Sequence, residues 1–64
     1  MCLATVYVEQ DGRQEEVMRD VARIHTSSEG LQLTGFLGES KLVHGDIRSI
    51  DLVKSMIVVK GSER

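Results

Sequence analysis

The sequence of 64 residues lacks proline and tryptophan, and it contains only one cysteine and two aromatic residues. A single cysteine cannot form an internal disulfide, and no Cys-x-x-Cys pair or Cys/His cluster forms a closed zinc site. Tyr7 and Phe36 are too few for a surface on which nucleic-acid bases stack. The net charge of −2 and the pI near 5.5 also disfavour nucleic acid as a partner, because domains that bind it are usually basic.

Hydrophobic segments in this sequence are short, and none approaches the roughly 20 apolar residues that span a membrane. Charged residues begin at Glu9, before the hydrophobic region of a signal peptide could form. We therefore expect a cytoplasmic protein with no membrane partner. In that compartment a lone thiol stays reduced.

The length of the chain is sufficient for one domain, which we expect to span residues 1–64. A domain of this size buries only about 60% of the surface that its unfolded chain exposes, so its stability is marginal. Small domains compensate with disulfides, a structural metal or oligomerisation. Since the sequence offers neither of the first two, we expect a homodimer.

Alternating apolar and polar residues, interrupted by glycine-containing turns, predict an all-β fold. We predict a small barrel of about seven short antiparallel strands, near residues 2–9, 14–18, 21–26, 31–37, 41–44, 47–52 and 56–59. Asp11-Gly12 predicts a tight hairpin, because both residues tolerate positive φ. The third strand would direct Ala22 and Ile24 inward, and the continuous apolar run at 56–59 predicts burial on both faces.

A short helix over Arg13–Val21 is the alternative to two strands in that region. Its apolar residues recur at helical spacing, and residues 14–16 are good helix formers. If the region is extended, its acidic residues form a solvated face with Arg13 and Arg19. Such a face does not bring several oxygens to one point, as a site for a hard metal ion requires.

Two segments carry a resemblance to a known family. Residues 1–8 read Met-Cys-Leu-Ala-Thr-Val-Tyr-Val, with a cysteine at position 2 before a strand. From Lys41 to Leu52, an apolar strand and a glycine precede Ile-x-x-Ile-Asp-Leu. Together these segments resemble the CooT family, whose members are associated with maturation of nickel-dependent carbon monoxide dehydrogenase. The resemblance implies a homodimeric SH3-like or Sm-like barrel, a form that has led relatives to be labelled predicted RNA-binding proteins.

Cys2 is the main candidate for chemistry, because a thiolate is a soft ligand suited to nickel, copper(I) or zinc. If Met1 is removed, the thiolate and α-amine of Cys2 can chelate one ion, and the Leu3 amide nitrogen can add a donor in square-planar geometry. Two Cys2 residues of a homodimer could instead share the ion. The residue alone also fits a small buried side chain at a strand start. The family resemblance implies that Cys2 binds Ni(II).

The two histidines are weaker candidates for metal ligands. His44 precedes Gly45, where a strand is predicted to break, so its imidazole could reach a surface site. We predict His44 as a metal residue together with Cys2. His25 is predicted on the same strand face as Val21, and its spacing from the other candidates matches no standard metal motif.

No pattern in the sequence supports catalysis, since it contains no Ser/His/Asp set, no phosphate-binding glycine loop and no pair of carboxylates at defined spacing. We therefore predict an accessory protein, a metallochaperone or nickel buffer, rather than an enzyme. Its expected partner is a nickel enzyme or the maturation machinery of that enzyme. One alternative is an SH3-like or Sm-like module that contacts RNA or a protein, and another is a structural domain that forms a dimer.

Overall fold

Six β-strands account for most of residues 3–61, which are the residues that the computed structural model describes. They are β1 (Ala4–Gln10), β2 (Arg13–Ser27), β3 (Gly30–Gly35), β4 (Ser40–Val43), β5 (Gly45–Asp51) and β6 (Met56–Gly61). The all-β prediction is confirmed, and the alternative helix over 13–21 is wrong because those residues lie in β2. In the described part of the chain, no helix has the length and apolar character needed to cross a membrane.

The six strands form one sheet in the order β4–β3–β2–β1–β6–β5. Neighbouring strands are antiparallel except β1 and β6, which run in parallel with Thr5 beside Met56 and Glu9 beside Lys60. A parallel pair requires a long connection, which β2 to β5 provide. The predicted barrel of seven antiparallel strands is corrected accordingly. Residues 3–61 form six strands, one pair is parallel, and the sheet ends at β4 and β5 instead of closing.

A tight hairpin joins β1 to β2 where the sequence predicts one. Asp11 and Gly12 have φ angles of 57° and 76°, and Gln10 pairs with Arg13 across the turn. Positive φ at both central residues is the turn geometry that matches the twist of the flanking strands. The Asp-Gly prediction is confirmed.

The 15 residues of β2 combine two strands that the sequence predicts separately. The first half of β2 pairs with β1, the second half pairs with β3, and Val21 belongs to both ladders. Register shifts on both sides of Val21, and a φ of 52° at Asp20, mark bulges that redirect the strand without ending it. The bulges also change which side chains face inward. Val21 is buried and Ile24 is partly buried, whereas Ala22 is exposed, contrary to prediction.

The core is a cluster of aliphatic side chains from every strand except β5: Val6, Val21, Leu31, Leu33, Val43 and Val59. Val58 is also buried but lies outside this cluster, so the apolar run at 56–59 is buried on both faces, as predicted. Ile47 and Ile50 of β5 remain exposed. The fold therefore leaves substantial apolar surface on its edge strand.

Candidate metal site at the start of the first strand

The predicted ligand Cys2 lies outside the described residues, which begin at Leu3. Consecutive Cα atoms across a trans peptide are 3.8 Å apart, so Leu3 defines where a ligand at position 2 is attached to the sheet. The residues around Leu3 are therefore the described part of the candidate site.

The start of β1 is held differently by its two neighbouring strands. On one side, Ala4 pairs with Val21 of β2, but the register shifts between Ala4 and Val6. On the other side, β1 pairs with β6 without a shift from Thr5 to Glu9. The Thr5 amide also donates a hydrogen bond of 2.9 Å to the carbonyl of Ser55, just before β6 begins. The regular support for the amino-terminal strand therefore comes from the β5–β6 connection.

The turn between β5 and β6 is organised by the side chain of Asp51. Its Oδ1 atom accepts hydrogen bonds from the amides of Val53, at 3.1 Å, and Lys54, at 3.0 Å. The Asp51 carboxylate thus accepts hydrogen bonds at the end of β5. The turn finishes with Ser55 in the left-handed region, at a φ of 52°. It projects Leu52 and Val53 into solvent, with 81% and 96% of their surfaces exposed.

An apolar groove of about 250 Å³ lies beside Leu3. Its lining consists of Leu3, Ala4, Val21, Ala22, Arg23, Ile24, Leu52, Ser55 and Ile57. We call this region, together with the β3–β4 and β5–β6 turns and the last residues of β5, the amino-terminal end. Among residues 3–61, seven large hydrophobic residues are exposed, and five of them lie there, namely Phe36, Leu37, Ile50, Leu52 and Val53.

His44 is exposed at the opposite end of the sheet. Thr5 is beside Met56, whereas Gly45 pairs with Gly61, five residues further along β6. At roughly 3.3 Å per residue, this places His44 about 17 Å from the level of Thr5. Within one chain, the fold therefore does not bring His44 close to Leu3, where a ligand at position 2 is attached.

The surroundings of His44 are polar. A groove of about 450 Å³ is formed by residues 26–31 and 44–47. It contains the carboxylates of Glu29 and Asp46 and the hydroxyl groups of residues 26–28, and no lysine or arginine is among its described lining residues. We call this region the His44 end.

His25 is not part of either groove. It is exposed on β2 opposite Gln32, and Arg23 is exposed opposite Thr34. The predicted common face of Val21 and His25 is wrong, because a register shift after Val21 leaves Val21 buried and His25 exposed. Within residues 3–61, no group of three or more His, Cys, Asp or Glu side chains is arranged to hold a metal ion.

The acidic residues of β2 behave as the sequence predicts. Arg13 pairs with Glu15 at 3.3 Å, Arg19 pairs with Glu16 at 2.8 Å, and all four side chains are exposed. The hydrogen bond and the negative charge of Glu16 raise the pKa of Arg19 above its usual value. Exposed pairs of this kind contribute little to stability, so this surface is a solvated face.

The apolar surface of the β5–β6 turn was not predicted from the sequence. The strand predicted to end at Leu52 ends at Asp51, and residues 52–55 form the turn. The usable signal is the pair Leu52-Val53 immediately after an aspartate. A carboxylate that accepts amide hydrogen bonds two and three residues later ends a strand, and the apolar pair then lies in the turn.

Comparison with known proteins agrees with this fold. A crystal structure from Carboxydothermus hydrogenoformans, of a protein assigned to CooT, superposes on the chain with a TM-score of 0.90. The two share 22% sequence identity over 97% of this chain and all of the other, a level at which the likeness shows the fold. Among curated proteins, none matches. The model of the family described as CO dehydrogenase accessory protein CooT matches residues 1–60, and the chain therefore belongs to the CooT family.

Proposed function

We propose that this protein is a homodimeric accessory protein that binds Ni(II) through Cys2 and delivers or buffers the ion during maturation of nickel-dependent CO dehydrogenase. The observation that carries the proposal is the family match, which covers residues 1–60 and so includes Cys2. In this role the protein supplies a metal to an enzyme and needs no catalytic residues of its own. Its expected partner is the enzyme or its maturation machinery.

The donor atoms of Cys2 suit Ni(II). A thiolate is a soft ligand, and an amine and a thiolate from one residue can occupy adjacent positions of the square-planar geometry that Ni(II) adopts. In the absence of Met1, Cys2 offers both groups. Two copies of Cys2 would then supply two nitrogen and two sulfur donors to one ion at a two-fold axis.

The exposed surface supports a second copy of the chain. Seven large hydrophobic residues are exposed among residues 3–61, and clustered apolar surface of this kind marks sites of protein contact. Much of the exposed apolar surface lies at the amino-terminal end, where residue 2 is attached. We therefore propose that two copies meet at this end and that the metal lies between them.

His44 is not part of the proposed metal site. It was predicted as a metal residue with Cys2, but about 17 Å separate it from the level of Thr5 within one chain. A two-fold axis at the amino-terminal end would keep both copies of His44 away from the ion. We therefore propose that Cys2 is sufficient and that His44 is not a ligand of the same ion.

The alternative is a binding module for a protein or RNA. The two free sheet edges, β4 and β5, favour a protein partner, because an unpaired edge can accept an additional strand. RNA binding and nickel binding respond differently to salt. Binding to phosphates weakens steeply as salt increases, whereas thiolate–nickel binding should change little.

The decisive experiment is a titration of reduced protein, from which Met1 has been removed, with Ni(II). We expect a thiolate-to-nickel charge-transfer band that saturates at one ion per two chains and is absent in Cys2→Ser. A band that persists in Cys2→Ser would contradict the assignment of the ligand. If the wild-type protein gives no band, the alternative as a binding module is favoured.

A further inference from the structure

The side chain of Asp51 organises the β5–β6 turn, and the last residue of that turn is hydrogen-bonded to β1. Its Oδ1 atom accepts hydrogen bonds from the Val53 and Lys54 amides at 3.1 and 3.0 Å. One oxygen therefore determines the path of the backbone for the three residues after Asp51. The turn that follows has no proline or glycine to restrict or shape it, so this side chain is the main local constraint.

The turn transmits that constraint to β1 through Ser55. Ser55 has a φ of 52°, a conformation that a residue with a side chain retains only when its surroundings hold it there. In this conformation its carbonyl accepts the hydrogen bond from the Thr5 amide at 2.9 Å. A change in the turn would therefore move the acceptor of the first hydrogen bond between β1 and the β6 side.

The pairing of β1 with β2, its other neighbour, is irregular at the start of β1 and does not provide the same support. The pairing of β1 with β2 shifts register between Ala4 and Val6 and again between Val6 and Tyr7. The pairing with β6 begins at Thr5 and continues without a shift. The hydrogen bond from Thr5 to Ser55 is thus the regular anchor nearest to residue 2 among the described residues.

We infer that Asp51 is a positioning residue for the nickel site, because its carboxylate holds the turn whose Ser55 carbonyl anchors Thr5, three residues after Cys2. This inference rests on the proposed function, since it concerns a site built on Cys2. Asp51 acts through the backbone and is not itself a ligand. Groups that orient metal ligands in this indirect way typically change metal affinity about 10- to 100-fold when they are removed.

The test compares Asp51→Ala with Asp51→Asn in the protein without Met1. Asp51→Ala removes the acceptor, so we expect nickel affinity to fall about tenfold and the Thr5 amide to exchange hydrogen faster. Asp51→Asn retains an oxygen acceptor at the same position and should keep both wild-type values. Asp51→Ser provides a weaker acceptor, with an expected loss of about threefold, and serves if the alanine variant does not fold.

Ser27→Ala is the matched control at the other end of the molecule. The Ser27 hydroxyl accepts from the Glu29 amide at 3.2 Å and donates to the Gly30 carbonyl at 3.3 Å, so it organises the β2–β3 turn. We expect its loss to lower stability without changing nickel affinity. An equal fall in affinity for Ser27→Ala and Asp51→Ala would indicate a general effect of stability and overturn the inference.

The remaining outcomes separate the inference from the proposed function. Wild-type nickel affinity in folded Asp51→Ala, or in folded Asp51→Ser if alanine does not fold, would overturn the positioning role and leave the Cys2 site intact. An Asp51→Asn variant that binds as weakly as Asp51→Ala would show that charge, not hydrogen bonding, is responsible, and would also overturn it. Absence of nickel binding by the wild-type protein would instead refute the proposed function.

Discussion

The two ends of the sheet differ in what they expose to solvent. At the amino-terminal end, a turn held by the Asp51 carboxylate presents Leu52 and Val53, next to an apolar groove that includes Leu3. At the His44 end, the groove between the β2–β3 turn and β5 presents carboxylates, hydroxyls and an imidazole. A polar groove is stable in water. A hydrogen-bonded turn that exposes two aliphatic residues beside an apolar groove is instead typical of a surface that contacts a partner. Partner contact is therefore expected at the amino-terminal end, to which the proposed ligand Cys2 is also attached.

The pH dependence of nickel binding tests whether the thiolate and α-amine of Cys2 hold the ion. The unperturbed pKa values of a thiol and an α-amine are about 8.5 and 8, so both groups of Cys2 carry protons at pH 6 and must lose them to bind metal. Affinity should increase by roughly 10³- to 10⁴-fold between pH 6 and 8 if both protons are displaced, and by about a hundredfold if only the thiol proton is displaced. Isothermal titration in several buffers measures this dependence. An affinity that stays constant across this pH range would contradict the proposed Cys2 chelate.

A charge at the amino-terminal end should disrupt the proposed dimer. Val53→Asp places a charge on the most exposed apolar residue of the amino-terminal end, and an unpaired charge in an interface is strongly unfavourable. We expect the dimer dissociation constant to increase about a hundredfold, equivalent to about 2.7 kcal/mol, and nickel affinity to fall with it. Analytical ultracentrifugation measures the association. Leu42→Asp, on the exposed part of β4, is the control and should leave the dimer intact.

A substitution at Gly45 should perturb the His44 end and leave the amino-terminal end unchanged. A β-carbon at Gly45 would collide with the Lys60 carbonyl oxygen and lie 2.9 Å from Cγ1 of Val59. Gly45→Ala should therefore reduce the free energy of unfolding by about 1–3 kcal/mol, as measured by urea denaturation. Nickel affinity of the folded protein should stay at the wild-type value. A parallel loss of affinity would show that the two ends are coupled.

The sequence was a reliable guide wherever a local signal determines the structure. Asp11-Gly12 specifies its own turn, and the apolar run at 56–59 indicates a strand that is buried on both faces. It failed at Asp20, because an aspartate with positive φ continues a strand through a bulge where the pattern suggested a break. The parallel pairing of β1 and β6 joins residues about 50 positions apart, and alternation within a strand does not specify its neighbour. Because strand pairing is not specified locally, the sequence predicted His44 and Cys2 as ligands of one site. It did not show that the sheet separates His44 from Leu3.

The smallest expected effect is that of His44→Ala on nickel binding. His44 is exposed and lies about 17 Å from the level of Thr5, a distance that a metal–ligand bond of about 2 Å cannot bridge. We expect nickel affinity to change less than about twofold, within the range of an exposed substitution away from structural features. A charge-transfer titration of His44→Ala beside Cys2→Ser measures the difference under identical conditions. A loss of more than about tenfold would place a second ligand at the His44 end. The ion would then have to bridge opposite ends of two chains, and the two-fold arrangement at the amino-terminal end would be replaced by a head-to-tail one.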